Sequence, residues 1–113
     1  MIAILSTTNY LFFDLASEGE SYTSPNNYDV VLINQITNQT FTVSNITPSV
    51  ANERYFKLDI STLDSTAPDG YYNLYVNVNG GASLYSEIAM ILKTTSVNIT
   101  ENTITPTYAV NQI

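Results

Sequence analysis

The stretch Asp69-Gly70-Tyr71-Tyr72-Asn73-Leu74-Tyr75-Val76-Asn77-Val78-Asn79-Gly80-Gly81 decides the fold of this chain. The even-numbered side chains from Tyr72 to Val78 are apolar or aromatic, whereas the odd-numbered ones from Tyr71 to Asn77 alternate between tyrosine and asparagine. A period of two residues is typical of a β-strand with one buried face. Asp-Gly before the strand and Asn-Gly-Gly after it favour turns. The stretch therefore predicts a turn, a half-buried strand and a hairpin.

The spacing Gly70-x-Tyr72-x-Leu74 resembles the late strand of immunoglobulin-like sandwiches. In those domains a tyrosine lies two residues before a core position, and its hydroxyl bonds back to the preceding corner. The resemblance implies that Tyr72 reaches the corner and that Leu74 takes the place that a cysteine holds in antibody domains. It implies an immunoglobulin-like fold for the whole chain.

The same alternation recurs along the chain, and no segment has a convincing helical pattern. Strand-forming β-branched and aromatic residues dominate the alternating windows. Polar loops are expected at residues 16–27 and 45–52. We expect an all-β, immunoglobulin-like antiparallel β-sandwich of about seven strands. Its domain is residues 1–93, and the expected strands are residues 2–5, 9–15, 28–35, 39–44, 53–60, 70–78 and 83–93.

Residues 94–113 differ in character from the rest of the chain. They are rich in Thr and Asn and carry one charged residue, Glu101. Two interpretations stand: an extended C-terminal arm that pairs with a neighbouring chain, or a frayed terminus. The apolar side chains favour the arm, because a solvating tail would not need them. The candidate partner-binding residues of the arm are Val97, Ile99, Ile104 and Tyr108.

Composition excludes several function classes. The 113 residues suit one domain, and 44% of them are hydrophobic, which is enough for a core. Ten acidic residues against three basic ones give a formal charge of −7, so we expect neither nucleic acid nor an anionic membrane surface as a partner. The opening Met1 to Leu5 lacks the pattern of a signal peptide, so we expect no secretion by that route.

Catalytic and metal sites are not expected. Cysteine and histidine are absent, which removes the familiar nucleophile–base pairs and thiolate metal sites. Carboxylate pairs occur at Glu18 with Glu20 and at Asp64 with Asp69, but both fall in polar loops, where such groups are ordinarily solvated. The second pair could be read as a calcium site, yet Asp69 is more simply a turn residue. We expect no enzyme activity, cofactor or metal.

The tyrosines point to binding. The chain has nine, and Tyr55, Tyr71 and Tyr75 fall on the outward faces of predicted strands. Large side chains with a polar tip are enriched at protein interfaces. Three interpretations stay open for these residues: a protein interface, ordinary sheet surface, or a carbohydrate-binding face.

A wider resemblance covers residues 9–93. Its segments are Thr8-Asn9-Tyr10-Leu11-Phe12-Phe13-Asp14-Leu15, Ser24-Pro25-Asn26-Asn27-Tyr28-Asp29-Val30-Val31-Leu32, Thr37-Asn38-Gln39-Thr40-Phe41, Glu53-Arg54-Tyr55-Phe56-Lys57-Leu58 and Pro68-Asp69-Gly70-Tyr71-Tyr72. In this order they resemble small immunoglobulin-like virion structural proteins of tailed bacteriophages of Bacteroides-type gut bacteria, including crAss-like phages. Members of that family often end in a Gly/Lys-rich exit, whereas this chain continues into its Thr/Asn segment, which leaves the mode of attachment open.

The resemblance implies a non-enzymatic role in a virion. We expect an auxiliary (decoration) capsid protein that binds the major capsid protein or other virion proteins, with self-association as a further option. Such a protein would be assembled in the host cytoplasm and located on the capsid surface. The alternatives are a tail, neck or fibre adaptor with the same fold, and a receptor- or glycan-binding module that uses the exposed tyrosines.

Overall fold

The computed structural model describes residues 1–93, and they form an all-β fold of two sheets. A short 3₁₀ helix at Ala16–Glu18 lies in the loop after the second strand. The strands are β1 (Ile2–Leu5), β2 (Tyr10–Phe13), β3 (Tyr28–Asn34), β4 (Thr40–Ile46), β5 (Val50–Ala51), β6 (Phe56–Asp59), β7 (Gly70–Val78) and β8 (Ser83–Leu92).

The strands are divided between a five-stranded sheet of order β1-β8-β7-β3-β4 and a three-stranded sheet of order β2-β6-β5. The prediction of an all-β sandwich is confirmed, because the chain alternates between two sheets that face each other across the core. One detail of the prediction was wrong. The sheets are not wholly antiparallel, since β1 pairs parallel with β8, from Ile2 opposite Ala89 to Leu5 opposite Leu92.

The core lies between the sheets and follows from the alternation. In β7, Tyr72, Leu74 and Val76 are fully buried, and β6 contributes Phe56 and Leu58 from the opposite sheet. Each such side chain contributes about 1.5–3 kcal/mol through removal of apolar surface from water. The buried side predicted for β7 is therefore correct from Tyr72 to Val76.

The predicted tyrosine corner is present at the start of β7. The Tyr72 hydroxyl donates a hydrogen bond of 2.6 Å to the Pro68 carbonyl oxygen. Next to it, the Asp69 carboxylate accepts the backbone N–H of Lys93 at 2.9 Å, and the Lys93 ammonium donates to the Asp64 carbonyl at 3.1 Å. The corner loop is thereby joined to both β7 and the end of β8.

Two turns set the register of the large sheet. The β7–β8 hairpin turns at Gly80, whose φ of 71° is a conformation that glycine adopts without a Cβ penalty. The β3–β4 turn begins at the buried Asn34, whose side-chain oxygen accepts the N–H groups of Ile36 and Thr37, both at 2.9 Å. Asn38, in the left-handed region, completes this turn.

The structure corrects two predicted loops. Residues 45–52 contain the end of β4 and the short β5, so the described residues hold eight strands where about seven were expected. Two residues are too short to show an alternation, and Val50 and Ala51 are recognisable only from their pairing with Lys57 and Phe56. Residues 16–27 include the single 3₁₀ turn, which ends at Gly19 with a φ of 93°.

Candidate interaction surface

The outward side of the five-stranded sheet is the broadest exposed surface that the strands create. Cross-strand neighbours share a face, so the pairs Tyr71–Met90 and Asn73–Ile88 locate the members of this surface. We call it the large-sheet face. Its members are Ala3, Leu5, Asp29, Val31, Ile33, Thr40, Thr42, Tyr71, Asn73, Tyr75, Asn77, Ser86, Ile88, Met90 and Leu92.

Large apolar side chains on this face are open to solvent. Tyr71 is 53% exposed, Leu5 and Leu92 are each 44% exposed, and Ile88 is 42% exposed. Single exposed apolar residues are ordinary, but a contiguous set on one face marks an interaction site or a binding groove. The strand pairings place Leu5 beside Leu92, and Ile88 two residues before Met90 on the same strand, so these side chains form a set.

Charge is nearly absent from the large-sheet face. Among its members only Asp29 is ionisable as an acid or base near neutral pH, and it lies toward one end of the face. Its carboxylate accepts the backbone N–H of Asn45 and the side-chain amide of Asn79, both at 2.9 Å. The Asn45 bond holds the pKa of Asp29 below its usual range, so this one charge is already engaged in the sheet.

A shallow depression lies in the middle of the large-sheet face. It has a volume of about 260 Å³ and is lined by four members of the face, Asn73, Tyr75, Ser86 and Ile88, and by Glu87 between them. The Glu87 carboxylate accepts the Tyr85 hydroxyl at 2.6 Å and lies 3.1 Å from the N-terminal ammonium, so this second charge is paired as well. This volume falls below the roughly 300–1,000 Å³ of small-molecule pockets, but it can accept an inserted side chain. The geometry suits contact with another polypeptide better than enclosure of a substrate.

The outward side of the three-stranded sheet carries a second, smaller aromatic cluster. Phe12 is 57% exposed and lies edge-on to the half-buried Tyr55, with ring centroids 5.5 Å apart. The Lys57 ammonium lies 4.2 Å from the centroid of the Tyr10 ring. Aromatic pairs and cation–π contacts of this kind stabilise a sheet surface by about 0.5–1.5 kcal/mol each.

These contacts bear on carbohydrate binding. A sugar-binding aromatic ring presents an open face for stacking, but the Tyr10 ring has a lysine over it and Tyr55 packs against Phe12. Tyr71 is the most exposed tyrosine of the described strands, and its hydroxyl forms no hydrogen bond with another described side chain. A glycan would therefore contact Tyr71 before it contacts Tyr10 or Tyr55.

The acidic corner is built as a pair of turns. The Asp64 carboxylate accepts both the hydroxyl of Thr66 at 2.7 Å and its backbone N–H at 2.8 Å, and the hydroxyl bond contributes most to lowering the pKa of Asp64. The Asp69 carboxylate is bonded to the N–H of Lys93. Across residues 1–93, no three His, Cys, Asp or Glu side chains lie close enough to hold a metal ion.

The predicted partner-binding residues are distributed over different surfaces. Tyr71 and Tyr75 lie four residues apart on the large-sheet face, whereas Tyr55 precedes β6 and packs against Phe12 of the other sheet. Val97, Ile99, Ile104 and Tyr108 lie outside the described residues. Sequence reasoning missed the exposed aliphatic members of the large-sheet face, Leu5, Ile88 and Leu92, and the exposed Phe12. The signal was present in Ile88-Ala89-Met90-Ile91-Leu92, which is apolar on both faces of a strand.

Comparison of the chain with protein-family models, with curated proteins and with solved structures gives no match. In the part of the chain that the structure describes, no helix is long and apolar enough to cross a membrane.

Proposed function

We propose that this chain is a non-enzymatic structural protein of a phage virion, and specifically an auxiliary capsid protein that binds the major capsid protein. The observation that carries the binding role is the large-sheet face, on which Tyr71, Ile88 and Leu92 are exposed and Asp29 is the only charged member. Depletion of charge together with exposed tyrosine and aliphatic side chains is typical of an interface centre. The virion setting comes from the resemblance of residues 9–93.

The remainder of the surface supports the same role. A formal charge of −7 produces repulsion between free copies in solution. This repulsion is weakest at the large-sheet face, which has few charged groups. The chain has no cysteine, so the sandwich that would serve as the platform forms without disulfides. In this proposal residues 94–113 clamp a neighbouring subunit of the shell, which is a form of β-strand or segment addition.

The experiment that tests the virion role uses an antibody raised against this chain. Intact phage particles from a culture that produces the chain are labelled with it and viewed by electron microscopy. Label spread over the heads is the expected result, and it would agree with many copies per shell. Label at one vertex or on the tail would replace the capsid role with that of an adaptor. Particles without label would contradict any virion role.

A binding assay tests the large-sheet face within the same proposal. Purified chain is added to shells that lack it, and the bound copies are counted for wild type, Ile88→Asp and Ile36→Asp. Ile88 lies on the face, whereas Ile36 is 90% exposed in the β3–β4 turn and serves as the matched control. We expect loss of binding for Ile88→Asp alone. Equal binding by both variants would remove the face from the interface.

The glycan-binding alternative has one observation in its favour, the exposed ring of Tyr71. Stacking of a sugar on this ring would be lost in Tyr71→Ala. Glycan-array binding by wild type that is absent in Tyr71→Ala would support the alternative. An array without signal for wild type would count against it.

A further inference from the structure

The chemistry of the large-sheet face favours an occupant that is itself nearly uncharged. A partner with many basic groups would be drawn to the carboxylates of the loops. The two acids at the face, Asp29 on its strands and Glu87 at the depression, already accept hydrogen bonds or form an ion pair. A partner with many acidic groups would be repelled by the chain as a whole, at a formal charge of −7. Burial of a charge against this face without a counter-charge would be costly in either case.

Residues 94–113 have the matching chemistry. Among their 20 residues Glu101 is the only charged one, and Val97 and Ile99 alternate with polar residues. Alternation of this kind gives an extended segment one apolar side, which can lie against an apolar surface. Ile104 and Tyr108 provide further apolar side chains along the segment.

The segment is long enough for the face. Five strands about 4.8 Å apart place the two outer strands about 20 Å from each other, and a seven-residue strand is about 23 Å long. Twenty extended residues reach about 65 Å. The segment can therefore leave one sandwich and still lie across the whole face of another.

β8 ends with its backbone directed past the edge of the large-sheet face of its own chain. The backbone N–H and the ammonium of Lys93 are both bonded to the corner loop, at Asp69 and at the Asp64 carbonyl. A chain that continues from Leu92 along the β8 direction leaves the sandwich at the end where β7 begins. To cover its own face it would have to reverse direction directly after these contacts, whereas no reversal is needed to reach a neighbour.

We propose that the large-sheet face binds residues 94–113 of a neighbouring copy of this chain. The apolar side of the segment lies on Tyr71, Ile88 and Leu92, and one branched side chain enters the depression beside Tyr75. The inference rests on the proposed function and specifies it: on the shell the large-sheet face is occupied by a neighbouring copy, and the contact with the major capsid protein involves the rest of the chain's surface. Because each copy gives one segment and receives one, two copies can exchange segments in a closed twofold dimer, and non-reciprocal contacts generate rings or open chains.

The test is the mass of the purified full chain by size-exclusion chromatography with light scattering, for wild type, Ile88→Asp, Ile99→Asp and the control Ile36→Asp. We expect wild type and Ile36→Asp to form assemblies of at least about twice the 12.5 kDa mass of one chain. Ile88→Asp has a damaged face and Ile99→Asp a damaged segment, so each alone should be a monomer.

Mixing the two monomeric variants is the decisive measurement. The intact segment of Ile88→Asp should bind the intact face of Ile99→Asp, which restores a dimer of one copy of each. A face that pairs with itself would instead leave Ile99→Asp assembled. A segment that folds onto its own chain would leave wild type monomeric, and either outcome would overturn the inference.

Thermal melts by circular dichroism check that the variants are folded, and Tyr71→Asp replaces Ile88→Asp if the latter has a lowered Tm. This test uses only purified chain, so its failure is distinguishable from a failure of particle labelling. Monomeric wild type together with labelled heads would leave the virion role in place and reject the self-binding segment.

Discussion

The Tyr72→Phe substitution isolates the hydrogen bond at the corner. Tyr72 is fully buried, and its hydroxyl donates to the Pro68 carbonyl at 2.6 Å. Phenylalanine keeps the ring and its packing, so no cavity forms and the lost bond is the main change. A buried acceptor left without its donor costs about 1–3 kcal/mol, and a typical net hydrogen bond contributes about 1 kcal/mol. We therefore expect the free energy of unfolding to fall by about 1–2 kcal/mol.

The assay is urea unfolding followed by far-UV circular dichroism, because tyrosine fluorescence would itself change with the substitution. Linear extrapolation gives the free energy of unfolding, and an unchanged slope with denaturant shows that the same surface is exposed. In a thermal melt, a loss of this size in a domain of about 100 residues lowers the Tm by about 5–15 °C.

Tyr71→Phe is the matched control, since the neighbouring Tyr71 is 53% exposed and points outward. Its free energy of unfolding should stay within about 0.5 kcal/mol of wild type. A Tyr72→Phe chain as stable as wild type would refute the reasoning that the corner bond stabilises the sandwich. Equal losses in both variants would show that the effect does not come from the corner.

Other perturbations address the core and the ionisable groups. Leu74→Ala should lower the free energy of unfolding in urea by about 2–5 kcal/mol through a core cavity, while Ile36→Ala, at a side chain 90% exposed, should leave it within about 0.5 kcal/mol. Burial and a hydrogen bond to Glu20 raise the pKa of Tyr28. The free energy of unfolding should therefore not change with the ionisation of Tyr28 below about pH 10, and it should fall above that pH, less steeply in Tyr28→Phe than in wild type. Equal dependence on pH in the two proteins would contradict this. A hydrogen bond from the backbone of Asn45 lowers the pKa of Asp29, so the stability that this carboxylate contributes should be lost as the pH falls below about 4. On acidification below about pH 4 the free energy of unfolding in urea should therefore fall less in Asp29→Asn than in wild type; equal losses would contradict this.

Much of the fold is readable from local alternation, and the missing parts depend on distant contacts. Tyr72 and Leu74 reveal both a strand and its buried side because the side-chain period of a strand is two. Val50 and Ala51 give no such signal, since they form a strand only through pairing with β6. The parallel pairing of β1 with β8 also escaped prediction, because Ile2 and Ala89 are far apart in the sequence.

The candidate surface was only partly predictable for a related reason. Tyr71 and Tyr75 are recognisable as outward residues because they alternate with a clear apolar set. Ile88 and Leu92 lie in a strand that is apolar on both sides, so the sequence does not tell which side faces the core. Ala89 and Ile91 are the buried ones, and only the sheet pairing with β7 decides this.

The parallel pairing of β1 with β8 has a mechanical consequence. Tension applied through the start of β1 and the end of β8 pulls the two strands in opposite directions along their axes. The evenly spaced backbone hydrogen bonds between two parallel strands are then loaded in shear and resist the force together. In a hairpin pulled apart at its open end, the hydrogen bonds would instead break one after another. Four residue pairs from Ile2–Ala89 to Leu5–Leu92 share this load. A chain held at residue 93 by a neighbour could thus transmit force along the strand without first peeling its own sheet apart.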